Sequence, residues 1–166
     1  MAELFLLPRA WERGLAVATP PQVDPHPAGL DSLPAEWVVI DDVQLRSGAR
    51  IDYVVVGPNG VFTIGVDPAD SPATLGETGL YRHGVRVALP VKRALSGAHE
   101  LRAALGLANI AYPVLVTPIT ADRHQLDRLG VVPGDRIAEH IWSHPGFPLR
   151  RAQRMELQWG LKALQG

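Results

Sequence analysis

The most constraining feature of this chain is the run Gly57-Pro58-Asn59-Gly60, set between two apolar segments. Proline restricts φ, and an Asn-Gly pair tolerates the positive φ of a tight reversal. Ile51–Val56 leads into the run and Val61–Val66 leads out of it. Both segments are rich in β-branched and aromatic residues, which fit a pleated, half-buried surface. The sequence therefore predicts a β-hairpin. Its far end brings Gly65, Val66 and Asp67 beside Asp52. Side chains alternate along a strand, so positions 65 and 67 share a face. An acid such as Asp52 in an apolar strand needs a cation, a donor or solvent.

The remaining pattern builds around this hairpin. Trp37–Ile40, continued to Leu45, reads as a preceding strand, with Arg46-Ser47-Gly48 as a turn. Residues 67–79 form a loop, and Tyr81–Leu89 suggests a second hairpin turning at His83-Gly84. Lys92–Leu105 is predicted as a helix, with Leu95, Ala98, Leu101 and Leu105 on one buried face. Pro113–Thr117 is a short strand, expected to lie parallel within the earlier sheet. Ala121–Leu129, Asp135–Ser143 and Leu149–Leu164 read as helical. The order implies an α/β class with a mixed sheet. Three stretches of one domain follow: a Pro-rich extension over 1–32, a core over 33–120 and a helical part over 121–166.

Composition excludes several classes. The chain has 166 residues, 46% of them apolar and 20% charged, which suits one globular domain. No apolar run is long enough for a bilayer, and Leu4–Leu7 is too short for a signal peptide. There is no cysteine, so disulfides and thiolate metal sites are excluded. A cytoplasmic location is the expectation. The net charge of −1 conceals an asymmetry. Residues 1–77 carry 4 basic and 11 acidic side chains, and residues 78–166 carry 12 and 6. The simpler reading is mutual attraction of the two halves; a basic surface for phosphates is the other.

The stretch from Ile51 to Ile64 resembles the nuclease-related domain (NERD) family of the PD-(D/E)XK nuclease superfamily. The family pattern is Ile-Asp-(His/Tyr), an apolar strand, Gly-Pro-x-Gly, then Val-(Phe/Tyr)-x-Ile-Glu-x-Lys. Here it is matched by Ile51-Asp52-Tyr53, Gly57-Pro58-Asn59-Gly60 and Val61-Phe62-Thr63-Ile64. The strand around Asp42-Val43-Gln44-Leu45, the helix and the strand at 113–117 follow in the family's order, so the likeness covers roughly residues 33–120. It implies a restriction-endonuclease-like fold, a mixed sheet with flanking helices and a C-terminal helical segment.

The family's Asp and Glu are thought to hold Mg²⁺, and its Lys to orient water or stabilise charge. Carried over, the Asp is Asp52, the Glu position holds Gly65 and the Lys position holds Asp67. The family's upstream helix, with its further Glu, has no clear counterpart before Pro34. Two readings stay open. One is a catalytically inactive module that binds nucleic acid or a protein partner and needs no cofactor. The other is a Mg²⁺-dependent DNA endonuclease with a rearranged site, in which Asp52 and Asp67 are catalytic and share the metal. A structural role within a larger assembly is a third, weaker reading.

Other candidates are secondary. Arg82, Arg86, Lys92 and Arg93 cluster in sequence and are the candidate nucleic-acid contacts, although cations at a helix start oppose its dipole. His140 and His144, with Glu139, have a spacing that can ligate zinc, yet a solvated helix face is the simpler reading. His83 is expected at an exposed turn, and Asp41-Asp42 at a strand end. Trp142 and Trp159 are expected as core anchors rather than base-stacking platforms.

Overall fold

A computed structural model describes residues 27–106, 111–120 and 125–165. The hairpin forms as its turn chemistry requires. Strand β2 (Arg50–Gly57) and β3 (Gly60–Val66) pair antiparallel, from Gly57↔Gly60 to Tyr53↔Ile64. Gly60 has φ of 142°, a conformation that a side chain would oppose. On the other flank β2 pairs antiparallel with β1 (Val38–Gln44).

Three short strands follow: β4 (Thr74–Leu75), β5 (Leu80–Arg82) and β6 (Val85–Arg86). They form a separate antiparallel sheet, with the expected reversal at His83 and Gly84, both at positive φ. Helix α1 (Leu89–Leu105) then carries the chain to β7 (Ala111–Val116), which lies parallel to β3. Beyond it come β8 (Gln125–Leu126), β9 (Leu129–Val132), α2 (Ile137–Ser143) and α3 (Arg151–Leu164). The main sheet runs β1-β2-β3-β7-β9-β8, with β7 and β9 parallel and β8 antiparallel to β9. The architecture is therefore a mixed α/β sheet flanked by helices.

Both faces of the sheet are covered, which explains the unbroken apolar runs in β2 and β3. Tyr53, Val55, Phe62 and Ile64 pack with Ile137 and Ile141 of α2 and with Leu30. On the other face Val54, Val56 and Val61 pack with Leu101 of α1 and Leu161 of α3. Helix α1 approaches closely because it offers small residues to the sheet. A Cβ added at Gly97 would lie 3.2 Å from Ile51 Cγ1.

Three sequence expectations are corrected. Ala121–Leu129 is not a helix through its described part. Leu126 and Leu129 have helical spacing, but they face each other across a turn at Asp127, whose φ is 53°, and extend the sheet. Residues 121–124 lie outside the described residues, as do residues 1–26 of the Pro-rich extension. On α1 the buried residues are Ala94, Gly97, Ala98 and Leu101, whereas Leu95 is 41% exposed. A step of about 100° per residue carries Leu95 off that stripe. Trp142 and Trp159 are not core anchors, being 70% and 72% exposed. Each lies far around its helix from the buried positions, Ile137 and Ile141 on α2 and Leu161 on α3.

Candidate functional site

The β2–β3 hairpin and α1 enclose a cleft of about 750 Å³. Asp52, Thr63, Gly65, Lys92, Arg93 and Ser96 all line it. The hairpin supplies the first three residues and the opening turns of α1 supply the others. The sheet register explains why Asp52 faces solvent here. The β2–β3 ladder ends at Tyr53↔Ile64. One step further, the Asp52 side chain takes the role of a backbone carbonyl: its Oδ2 accepts a hydrogen bond from the Val66 N–H at 2.8 Å. Opposite it, Gly65 adds no side chain. A Cβ built there would meet only Ala94 Cβ at 3.8 Å and Leu115 Cδ1 at 3.9 Å, which are ordinary contacts.

Asp67 has a different fate. It is 8% exposed and does not line the cleft. Its Oδ2 accepts a hydrogen bond from Arg82 Nη2 at 2.8 Å and another from Thr117 Oγ1 at 3.1 Å. Its Oδ1 accepts the Ala69 N–H at 3.3 Å. Arg82 also donates to the Ser71 carbonyl at 2.9 Å, and the two charged side chains are only 14% and 6% exposed. This buried pair ties the small β4–β6 sheet to the end of β3 and to the residue after β7. The structure thus separates the two aspartates that the sequence placed on one site.

A magnesium ion takes several oxygen ligands in a strict geometry. On the cleft wall Asp52 contributes one carboxylate, Gly65 contributes nothing and Asp67 is held by Arg82. That donor set does not fit the magnesium site of the nuclease pattern.

The basic candidates divide in the same way. Arg82 is turned inward to Asp67. Arg86 reaches the Thr78 carbonyl at 3.1 Å. Arg50, another residue of the cleft, is paired with Asp42. Lys92 and Arg93 are exposed and have no ion-pair partner among the described residues. They are the fourth and fifth residues of α1, whose N-terminus has no side-chain cap and no acidic residue.

His140 and His144 do not assemble a metal centre, and among the described residues no group of three or more His, Cys, Asp or Glu side chains converges. Instead His144 packs against Tyr112 and Phe62, with ring centroids 4.4 and 5.5 Å away. Burial pushes its pKa below the ordinary 6.5. This region anchors the hairpin turn: Asn59 Nδ2 donates to the Ile141 and His144 carbonyls at 2.9 and 3.1 Å, and the Leu149 N–H donates to the Pro58 carbonyl at 2.8 Å.

Two features of the site region escaped the sequence reading. Thr117 belongs to the Asp67 pair, and nothing local to residue 117 signals it. Thr63 lies in the cleft wall at 2% exposure, yet its Oγ1 has no hydrogen-bond partner among the described residues. In sequence it is merely a good strand former. Among the described residues no helix is long and apolar enough to cross a membrane. No protein-family model, curated protein or solved structure matches the chain.

Proposed function

We propose that this chain is a nuclease-related domain of restriction-endonuclease-like ancestry whose cleft binds nucleic acid without cutting it. The observation that carries this reading is the commitment of the Asp67 carboxylate to Arg82 and Thr117. It leaves Asp52 as the sole carboxylate among the residues that line the cleft. The fold supports the ancestry by its order: antiparallel strands, a helix, then a strand parallel to β3. The binding half of the proposal rests on Lys92 and Arg93, two exposed cations on the same cleft.

A plasmid-nicking assay with Mg²⁺ or Mn²⁺, run beside Asp52→Ala, tests the first half. No metal-dependent cleavage is expected. Cleavage that vanishes in the variant would instead establish the endonuclease that uses Asp52. Binding is tested by DNA affinity at low and high salt. Affinity should fall with salt and with Lys92→Ala/Arg93→Ala, because phosphate contacts release counterions.

A second reading, a protein-interaction module, is favoured by the exposure of Trp142, Phe147 and Trp159 at 70%, 57% and 72%. Exposed aromatics of this kind are enriched in protein interfaces. It would gain ground if the full chain bound no DNA at low salt.

A further inference from the structure

We propose that Trp142 and Phe147, on and just after α2, are the seat of this chain's own N-terminal segment, residues 4–11, docked within the same molecule. The inference is independent of the nucleic-acid reading. It takes two of the three aromatics that favour an interaction module and names what covers them.

The seat is presented on a held backbone. Trp142 is 70% exposed and Phe147 57%. On either side of Trp142, the carbonyls of Ile141 and His144 accept hydrogen bonds from Asn59 Nδ2 at 2.9 and 3.1 Å. The Phe147 N–H donates to Tyr112 Oη at 3.1 Å, and the Gly146 N–H to the His144 carbonyl at 2.7 Å. Pro145 and Pro148 restrict the chain on both sides of this last stretch. Large aromatic side chains on a fixed backbone lose little entropy on capture, and tryptophan supplies much of the binding energy where it is covered.

The occupant has a matching need. Residues 4–7 read Leu-Phe-Leu-Leu, and Trp11 follows. Four consecutive apolar side chains are unfavourable in water unless another surface receives them. The charges agree as well. Arg9 and Arg13 bracket Trp11. On α2, Glu139 is exposed one turn before Trp142 and has no ion-pair partner among the described residues. A surface pair of this kind fixes orientation more than affinity.

The place where the described chain begins selects this occupant over others. It begins at Pro27, against the start of α2. A Cβ added at Gly134 would lie 3.9 Å from Pro27 Cβ, and one added at Gly29 would meet Ile137 Cγ2 at 2.7 Å and Ala138 N at 3.6 Å. Ala138 and Trp142 are four residues apart, so they share one side of the helix, about 6 Å apart along its axis. Trp11 lies 16 positions before Pro27. A chain of that length reaches up to about 50 Å, far beyond what the seat requires. So short a tether gives an effective concentration on the order of millimolar. Pro20, Pro21, Pro25 and Pro27 restrict the connection and reduce the entropy lost on docking. A second copy or a foreign partner has to reach Trp142 without that advantage.

Trypsin acting on the full chain reads the docking, because Arg9 and Arg13 flank Trp11. Cleavage follows the population of the open form when reclosing is fast. Mass spectrometry at these two bonds should show cleavage about tenfold or more faster in Trp142→Ala/Phe147→Ala than in the parent. Leu6→Ser/Trp11→Ser, which alters the segment instead of the seat, should accelerate it similarly. Trp159→Ala changes an exposed tryptophan of α3 and should leave the rate unchanged. Trp142 and Phe147 are exposed, so these variants keep the fold, which circular dichroism checks. The chain has no cysteine, so Ala2→Cys can carry a single nitroxide label. The label should broaden the Trp142 indole N–H signal within one chain. It should leave that signal sharp when labelled chain is mixed with unlabelled, ¹⁵N-enriched chain.

Equal cleavage rates in the parent and all variants would overturn the docking. Protection that survives Trp142→Ala/Phe147→Ala but is lost in the segment variant would place the segment on another surface and overturn this seat. Broadening in the mixed sample would give the seat to the segment of a second copy and overturn docking within one molecule.

Discussion

Asp52 and Asp67 sit at the same end of one hairpin, and the structure treats them in opposite ways. Asp67 is buried, with three donors: Arg82, Thr117 and the Ala69 N–H. Asp52 is exposed on the cleft, with one donor, the Val66 N–H. Position on a strand therefore does not assign a carboxylate's role. The surroundings decide, because a buried charge must be matched whereas an exposed one keeps its water. In this hairpin Asp67 is half of a structural ion pair, while Asp52 stays exposed on the cleft.

The sharpest way to break this contrast is to remove the cation of the buried pair. Arg82→Ala should cost about 3 kcal/mol or more, because it strands Asp67 without its counter-charge. Urea unfolding followed by circular dichroism reads this directly. A loss below about 1 kcal/mol, the level of an exposed pair, would mean that water reaches Asp67 and that the two aspartates differ less than their burial implies.

Gly65→Glu probes the open side with a smaller expected effect. The new Cβ meets only ordinary contacts, so the cost should stay near 1 kcal/mol, within the range of tolerated substitutions. The variant introduces a carboxylate opposite Asp52. Calorimetry should then detect Mn²⁺ binding that is lost again with Asp52→Ala. Severe destabilisation, or no metal uptake by a folded variant, would show that the cleft does not have the geometry of a paired-carboxylate site.

These particulars also show what the sequence could reveal. The hairpin was legible because its causes are local: a turn of fixed chemistry and two strands flanking it. Helix α1 was legible for the same reason, although Leu95 was placed on the wrong side of it. The partners of Asp67 were not legible. Arg82 comes from a separate hairpin 15 residues away, and Thr117 from a position 50 residues away. Strands β8 and β9 were hidden because Leu126 and Leu129 imitate helical spacing. Pairing with β7 on one side and β8 on the other makes Leu129–Val132 a strand. Asn59 was read as a turn residue, and its second task, holding the carbonyls of Ile141 and His144, depends on chain more than 80 residues away.

The opposite end of the hairpin allows a test by pH. Burial holds His144 below its ordinary pKa of 6.5, so the fold prefers the neutral ring. As pH falls below about 6.5, the unfolded chain takes up this proton first. Stability present above that value is therefore lost as pH falls through the folded pKa, and the dependence flattens below it. His140, whose ring centroid is 6.0 Å away, would add repulsion if both rings were charged. His144→Phe should keep the packing against Tyr112 and Phe62 and remove this part of the acid sensitivity. An unchanged pH profile in the variant would place the sensitivity elsewhere and detach it from the anchored turn.

The smallest effect is expected at Asp52 itself. Asp52→Asn preserves an oxygen that can accept the Val66 N–H, and the residue is exposed. Its stability should stay within about 0.5 kcal/mol of the parent, as for surface changes that break no special contact. This near-neutral outcome has diagnostic weight beside the large loss expected for Arg82→Ala. An ion-pair role for Asp52 would produce a loss of stability. A ligand-facing role predicts almost none, together with a changed affinity for DNA. Parallel urea unfolding and DNA titration of the same variant separate the two. A destabilisation above about 1 kcal/mol would indicate that Asp52 supports the fold through its charge, as Asp67 does. The distinction between an open and a committed aspartate would then fail at its simplest point.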